Sequence, residues 1–193
     1  MASHRPTITL SVLTGTFVPF ALLLFAANVW AELAPFPAHV RTATTIWIAM
    51  LFAGAALVLR LTAWSPVASG AFALAWSFGL AAMALHLFFA IVDLLGGDLT
   101  LFIERNGIAV TALNFGLVAW WAADVALLWS GVAGRRWMRL QGVALSIALL
   151  AMLVASSVIL GDGIVRWLGV ALVIAVAVAV VVRTRMSAVR PAE

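Results

Sequence analysis

The sequence predicts an all-α integral membrane protein, a bundle of six transmembrane helices with short loops and with both termini in the cytoplasm. Two observations predict this fold class. Of the 193 residues, 66% are apolar and 9% are charged, and the mean hydropathy is +1.19, whereas soluble domains contain about 45–50% apolar and about 25% charged residues. The apolar residues also fall into stretches long enough to cross about 30 Å of hydrocarbon at about 1.5 Å per residue.

The predicted spans follow one another through short connections that contain proline and glycine. Residues such as Pro37 and Pro66 are expected to stop helices, and glycines supply positive φ. Because the spans leave almost no residues for a soluble part, one transmembrane domain is predicted over residues 1–193. The six predicted spans are Ile8–Ala31, Thr42–Trp64, Val67–Leu95, Ile108–Gly131, Leu140–Leu160 and Ile164–Val182.

The first and last spans each admit a second interpretation. Residues from Arg5 to Ala31 have the outline of a signal peptide, but the apolar run Ile8–Ala27 exceeds the roughly 7–15 residues of a signal-peptide core. An uncleaved first helix is therefore predicted. The last span alternates β-branched residues with alanine over Val173–Val180, as a strand does in water. Since an open strand leaves its backbone unpaired in lipid, a helix is predicted there as well.

All eleven basic residues are arginines, and their distribution indicates orientation in a lipid bilayer rather than nucleic-acid binding. Basic residues that flank spans interact with anionic cytoplasmic lipids and resist translocation. Arg41, Arg105 and Arg166 fall on one side together with most of the carboxylates, so that side is expected to face outward. The other eight arginines fall on the side of the termini: Arg5, Arg60, Arg135, Arg136, Arg139, Arg183, Arg185 and Arg190.

A few polar side chains lie inside the predicted spans, where each is expensive and therefore expected to face the bundle interior. Five of them fall on the outer half, and they predict an outward-opening polar pocket among the first, third and fourth spans, closed by the loop over residues 96–105. Alternatively, the two carboxylates are solvated at helix ends, and the histidine bonds to a carbonyl of a neighbouring helix. The five candidate pocket residues are Asn28, Glu32, His86, Asp93 and Asn114.

Asp124 is a sixth embedded polar residue and lies on the inner half of the fourth span. No arginine lies within its own span, so the carboxylate needs a partner from elsewhere or a proton. An interhelical structural pair is the favoured interpretation, with Arg60, at the inner end of the second span, as one candidate partner. Protonation of Asp124, coupled to transport, is the alternative.

The tryptophans predict interfacial anchoring and helix packing. Five lie near predicted span ends, where indoles anchor in the membrane interface. Small residues spaced four apart mark close helix contacts in lipid, as at Ala71, Ala75 and Gly79 and at Ala171, Ala175 and Ala179. The four deeper tryptophans, for which packing or lipid contact is favoured over ligand binding, are Trp47, Trp76, Trp120 and Trp121.

The inventory of residue types excludes several chemistries. Without lysine there is no Schiff-base catalysis and no phosphate loop that ends in lysine, and without cysteine there is no disulfide or thiolate-bound cluster. A bis-histidine haem is not expected, because His86 is the only histidine within a span. Metal-ligating residue types occur at Glu32, His39, His86 and Asp93, but they lack metal-site spacing, so no metal or other cofactor is predicted.

Part of the fourth span carries a recognisable block: Asn114-Phe115, Trp120-Trp121, Ala123-Asp124 and Trp129. It resembles a block of small uncharacterised polytopic bacterial membrane proteins, in which an Asn-aromatic pair precedes tryptophans and an Ala-Asp pair. The resemblance covers about one span and implies a multi-pass membrane protein without a defined activity.

Three function classes remain open. The favoured one is an accessory or structural subunit of an inner-membrane assembly, with partner membrane subunits or a second copy of the chain as partners. The second is a small-solute or proton-coupled transporter component that uses the outward pocket. The third is a membrane-embedded enzyme acting on a lipid or quinone, for which paired catalytic groups are missing. Abundant arginine and alanine without lysine favour a bacterial origin.

Overall fold

Helices account for every regular element in the described part of the computed structural model, which covers residues 6–62, 66–131, 136–159 and 163–189. Six of these helices are long and apolar enough to cross a membrane, which confirms the predicted helical, multi-pass fold. Short π-helical turns, Phe89–Asp93 and Val154–Ile159, extend two of the α-helices, the third and the sixth of those listed next. The α-helices are α1 (Leu10–Glu32), α2 (Pro37–Thr62), α3 (Pro66–Phe88), α4 (Leu99–Asn106), α5 (Ile108–Trp129), α6 (Arg136–Leu153) and α7 (Gly163–Val189).

Two prolines expected to stop helices instead begin them. Pro37 is the first residue of α2 and Pro66 the first residue of α3. A proline is well placed there, because the first N–H of a helix has no intrahelical partner and the fixed φ suits the helix. Consequently α2 starts before the predicted Thr42 and includes Arg41. The predicted span ends at Trp64 and Leu160 lie outside the described residues.

Helix α2 is the centre of the bundle. Half of its most apolar window is buried, against 17% for α1 and for α7, and it packs against α1, α3, α6 and α7. Three phenylalanines join the first three helices: the ring centroids of Phe20 and Phe52 are 5.3 Å apart, and those of Phe20 and Phe78 are 4.7 Å apart. Edge and offset ring contacts of this kind add to the packing energy.

The central helices approach one another closely at Gly79 of α3. A Cβ atom there would lie 3.0 Å from Cζ2 of Trp121 and 3.1 Å from the backbone nitrogen of Ala53. Ala75, one turn away, is buried. The predicted small-residue stripe of the third span therefore lies at a contact with α2 and α5, as close packing in lipid requires.

The predicted stripe of the last span is wrong in its register. Ala171 and Ala175 are exposed, and only Ala179 of that stripe is buried. Helix α7 instead contacts α2 through Leu172, whose side chain fills the space that the missing side chain of Gly54 leaves open. A large side chain against a glycine gives the same close approach as a stripe of alanines.

The outer surface of the bundle is apolar. Large side chains such as Leu22, Phe25 and Ile147 are more than 60% exposed. In water such a surface would drive association, whereas in lipid it needs no cover.

The stretch that was expected to be a loop contains the short helix α4. Asp98 caps it by accepting a hydrogen bond from the backbone N–H of Leu101 at 3.0 Å, and Phe102 packs edge-on against Phe115 of α5 with centroids 6.0 Å apart. Because six spans alternate in direction, α4 lies at the end of the bundle opposite the chain termini; we call these the α4 end and the termini end.

Candidate functional site

Arg41 joins three helices at the α4 end of the bundle. Its guanidinium donates to Glu32 at the end of α1, at 2.5 Å, and to Asp93 at the end of the π-helical turn that extends α3. The Arg41 side chain is 20% exposed and that of Asp93 is 31% exposed. Each of these charges interacts unfavourably with the dipole of its own helix, because a negative side chain is destabilising near a helix C-terminus and a positive one near an N-terminus. The two ion pairs of Arg41 offset these unfavourable dipole interactions. We therefore interpret the three residues as one structural cluster, the Arg41 cluster.

Asn28 does not take part in this cluster. Its side chain is exposed and donates to the backbone carbonyl of Leu24, one turn earlier in α1, at 2.8 Å. An asparagine that satisfies itself on its own helix does not require a neighbour. Asn28 therefore lies outside any shared pocket.

His86 connects α3 to α2. Its Nδ1 lies 2.8 Å from the backbone carbonyl oxygen of Thr42, and because a carbonyl oxygen only accepts, Nδ1 carries the hydrogen. This agrees with the alternative that a span histidine bonds to a neighbouring carbonyl. In a neutral imidazole with this tautomer, the other ring nitrogen, Nε2, is a hydrogen-bond acceptor.

A cavity of about 50 Å³ lies beside His86, between α2, α3, α5 and α6. Its two polar wall residues are His86 and Asn114, and the remaining wall is apolar, with Met83, Met152 and Trp121 among its residues. The Asn114 side chain forms no hydrogen bond with any described residue. Of the five residues expected to share a pocket, these two are brought together, while Glu32 and Asp93 join the Arg41 cluster. No described residue of α4 lines the cavity, so that segment does not cover it.

Asp124 is 7% exposed and accepts hydrogen bonds from two uncharged side chains. The indole Nε1 of Trp76 donates to Oδ2 at 2.9 Å, and the Gln141 amide donates to Oδ1. Gln141 in turn accepts from Nε1 of Trp120 at 2.7 Å. This Asp124 network links α3, α5 and α6 and satisfies a carboxylate that would otherwise be very costly in a lipid-surrounded interior.

The expected ion pair between Asp124 and Arg60 is not formed within 4 Å in the described structure. Arg60 instead donates to the carbonyl of Gly142 at 2.8 Å and to the hydroxyl of Ser146 at 3.0 Å, both on α6. Its guanidinium also lies 5.9 Å from the ring centroid of Phe72, a favourable cation–π distance. Gly142 has no side chain to block this approach. Arg60 therefore acts on Asp124 only as a nearby positive charge.

A pair of tryptophans separates the cavity from the Asp124 network. The rings of Trp76 and Trp121 have centroids 4.9 Å apart; Trp121 lines the cavity and Trp76 holds Asp124. Nε1 of Trp121 is buried without a hydrogen-bond partner among the described residues. Unpaired buried donors are uncommon in proteins.

Several residues of this polar core were missed as partners from the sequence. Gln141 lies near the end of a predicted span, where an amide is unremarkable, and the sequence predicts only a role in orientation for Arg41. Trp129 was expected to anchor in the interface, yet its Nε1 donates to the hydroxyl of Ser77 on α3 at 2.9 Å. The available signal was the clustering of tryptophans around a lone carboxylate, since an indole N–H is a natural uncharged donor.

Comparisons of the chain with protein-family models, curated proteins and solved structures return no match. The resemblance of the fourth span to small polytopic bacterial membrane proteins therefore stays a prediction. Among the residues searched, no group of three or more histidine, aspartate or glutamate side chains is arranged to hold a metal ion. What the site offers chemically is the hydrogen-bonding capacity of His86 and Asn114 at the cavity and the hydrogen-bonded carboxylate of Asp124 beside it.

Proposed function

We propose that this chain is a multi-pass protein of the bacterial inner membrane that acts as an accessory or structural subunit of a membrane assembly. The proposal depends on one observation: the embedded charged side chains are bonded within the chain itself. Arg41, Arg60, Asp93 and Asp124 all bond to groups on other helices of the same chain. Side chains committed in this way hold helices together rather than present a reactive group to a substrate.

The arrangement of arginines supports an orientation with both termini in the cytoplasm. Arg60 and Arg183 lie at the termini end, where Arg183 donates to the backbone carbonyl of Arg60 at 3.2 Å. Arginines concentrate on the cytoplasmic side of inner-membrane proteins. Five more members of the predicted cytoplasmic set are not described at the side-chain level, namely Arg5, Arg135, Arg136, Arg139 and Arg190.

The accessory role is tested by purifying the tagged full chain from its native membrane in a mild detergent and identifying every co-purifying protein. A different membrane protein in a fixed ratio to the chain is expected, and it should be recovered equally after in-membrane cross-linking. Recovery of the chain alone, as a monomer both with and without cross-linking, would contradict the proposal.

A transporter component is the second candidate, because the cavity and a buried carboxylate occur in one bundle. Asp124 is connected to the wall of the cavity by two side chains: it bonds to Trp76, and Trp76 packs against Trp121, which lines the cavity. Embedded carboxylates commonly carry protons in transporters. In proteoliposomes with an internal pH dye, Asp124→Asn should abolish proton movement that Asp98→Asn, at the exposed cap of α4, leaves unchanged. Equal proton movement in both variants would exclude this candidate.

A further inference from the structure

We propose that the cavity between α2, α3, α5 and α6 binds an uncharged hydroxyl group. Two polar groups of the wall define the ligand. Nε2 of His86 is an acceptor, because Nδ1 donates to the carbonyl of Thr42 at 2.8 Å. Asn114 offers both an N–H donor and an oxygen acceptor and forms no hydrogen bond with a described residue. The inference does not rest on the accessory role.

The size of the cavity limits the ligand. A water-sized probe needs about 10–15 Å³, so a cavity of about 50 Å³ accommodates a group of roughly four heavy atoms. A larger molecule would place only its end in the cavity. Apart from His86 and Asn114, the wall consists of methionines, leucines, Ile46, Val118 and the largely apolar ring of Trp121, which favour carbon on the rest of the ligand.

The charge of the ligand follows from the walls. No charged side chain is among the described residues that line the cavity, and an ion without a partner in an apolar environment is strongly disfavoured. An uncharged ligand is therefore expected. A lone carbonyl group cannot donate to Nε2 of His86, whereas a hydroxyl can donate to His86 and accept from Asn114 at the same time.

Two sources present this chemistry: a small free alcohol, or the hydroxyl end of a long-chain alcohol dissolved in the membrane. The test uses the full chain in lipid nanodiscs with ¹⁵N-labelled histidine and the substitutions His4→Gln and His39→Gln, so that His86 gives the ring signals. His39 is not among the described residues that line the cavity, and His4 lies outside the described residues. The Nε2 chemical shift then reports a hydrogen bond to that atom.

The probes are matched pairs that differ only in the hydroxyl. 2-Propanol is expected to shift the Nε2 signal saturably, and acetone, which has the same skeleton with a carbonyl, is not. Farnesol and farnesyl methyl ether form the long-chain pair. A saturable shift with either alcohol supports the proposal, and the pair that produces it identifies the source. No shift with either alcohol, or the same shift with acetone or the ether, overturns it and leaves water as the occupant.

A variant tests the role of Asn114. Asn114→Leu preserves the shape but removes both hydrogen-bonding groups, so the apparent affinity for the effective alcohol should fall about tenfold, the effect of one hydrogen bond. Asn28→Leu is the matched control, because Asn28 is exposed on α1, and it should leave the affinity unchanged. Equal affinity in both variants would contradict the site. If Asn114→Leu does not fold, the comparison of alcohol with ketone in the chain that retains Asn114 decides.

Discussion

At the scale of single residues, the polar core is held by neutral donors around one carboxylate. Asp124 receives hydrogen bonds from Trp76 and Gln141 and forms no ion pair with Arg60 within 4 Å in the described structure. Hydrogen bonds to a charged acceptor are stronger than those between neutral groups. Leaving such an acceptor unpaired inside the bundle is correspondingly destabilising.

Trp76→Phe isolates the hydrogen bond because it keeps most of the buried ring and removes Nε1. We expect a loss of about 1–2 kcal/mol in the free energy of unfolding in micelles, given the usual range for buried and membrane hydrogen bonds. The control is Trp47→Phe, since Trp47 forms no hydrogen bond with a described residue. Equal losses in the two variants, measured by denaturant titration, would show that ring size rather than the bond to Asp124 matters.

The sequence identifies embedded polar residues but not their partners. Asp124, His86 and Asn114 stand out because each interrupts an apolar run, and the cost of that interruption can be judged from the residue alone. Whether Asp124 meets Arg60 or Gln141 depends on the rotation of α2 and α6 about their axes. Each of these two spans is apolar on most of its circumference, so its hydropathy pattern gives little information on which face points into the bundle.

At the scale of helices, close packing and ion pairs set the arrangement of the first three helices with α5. Helix α2 is the most buried of the six described spans. Its threonines bond to their own helix, as Thr45 does to the carbonyl of Arg41 at 2.7 Å. Self-satisfied hydroxyls explain why polar residues in α2 do not mark a pocket.

Gly79→Ala tests the close approach of α3 to α2 and α5. The added methyl would meet Trp121 and the backbone of Ala53 at 3.0–3.1 Å, so we expect overpacking to destabilise the protein by about 1–3 kcal/mol. At Gly116 of α5, a Cβ meets nothing within 4 Å, and Gly116→Ala should be neutral or stabilising by up to about 1 kcal/mol through helix propensity. A neutral Gly79→Ala variant in the same unfolding measurement would contradict the packing.

The Arg41 cluster predicts a stability that depends on salt. Arg41→Gln should lower the melting temperature at low ionic strength, because it removes both ion pairs that join α1, α2 and α3. The difference from the unmodified chain should shrink between about 0.01 M and about 1 M NaCl, as the screening length falls from about 30 Å to about 3 Å. Arg105→Gln, on exposed α4, is the control and should show no such trend. A difference that salt does not change would assign Arg41 a packing role instead.

At the scale of the whole molecule, hydropathy was sufficient for the number of spans but not for their limits or for α4. The bilayer requires about 20 apolar residues per helix, which makes long spans easy to recognise. The limits depend on local effects, such as Pro37 beginning α2, and on the π-helical turn that ends at Asp93. Helix α4 was missed because its eight residues are too few for a span and its single buried anchor, Phe102, is visible only once Phe115 is placed.

The absence of cysteine makes the arrangement of the whole chain directly testable. Thr100 on α4 and Ser130 in the turn after α5 are both exposed, and the alternating direction of the spans places them at opposite ends of the bundle. In intact spheroplasts, a membrane-impermeant maleimide should label Thr100→Cys but should label Ser130→Cys only after permeabilisation. The reason is that the termini end, where Ser130 lies, carries most of the arginines and is therefore expected to face the cytoplasm. The unsubstituted chain is the blank. The reverse labelling pattern would invert the proposed orientation while preserving the fold. Labelling of both positions from outside would require an even number of spans between Thr100 and Ser130, instead of the single span α5, and would contradict the bundle itself.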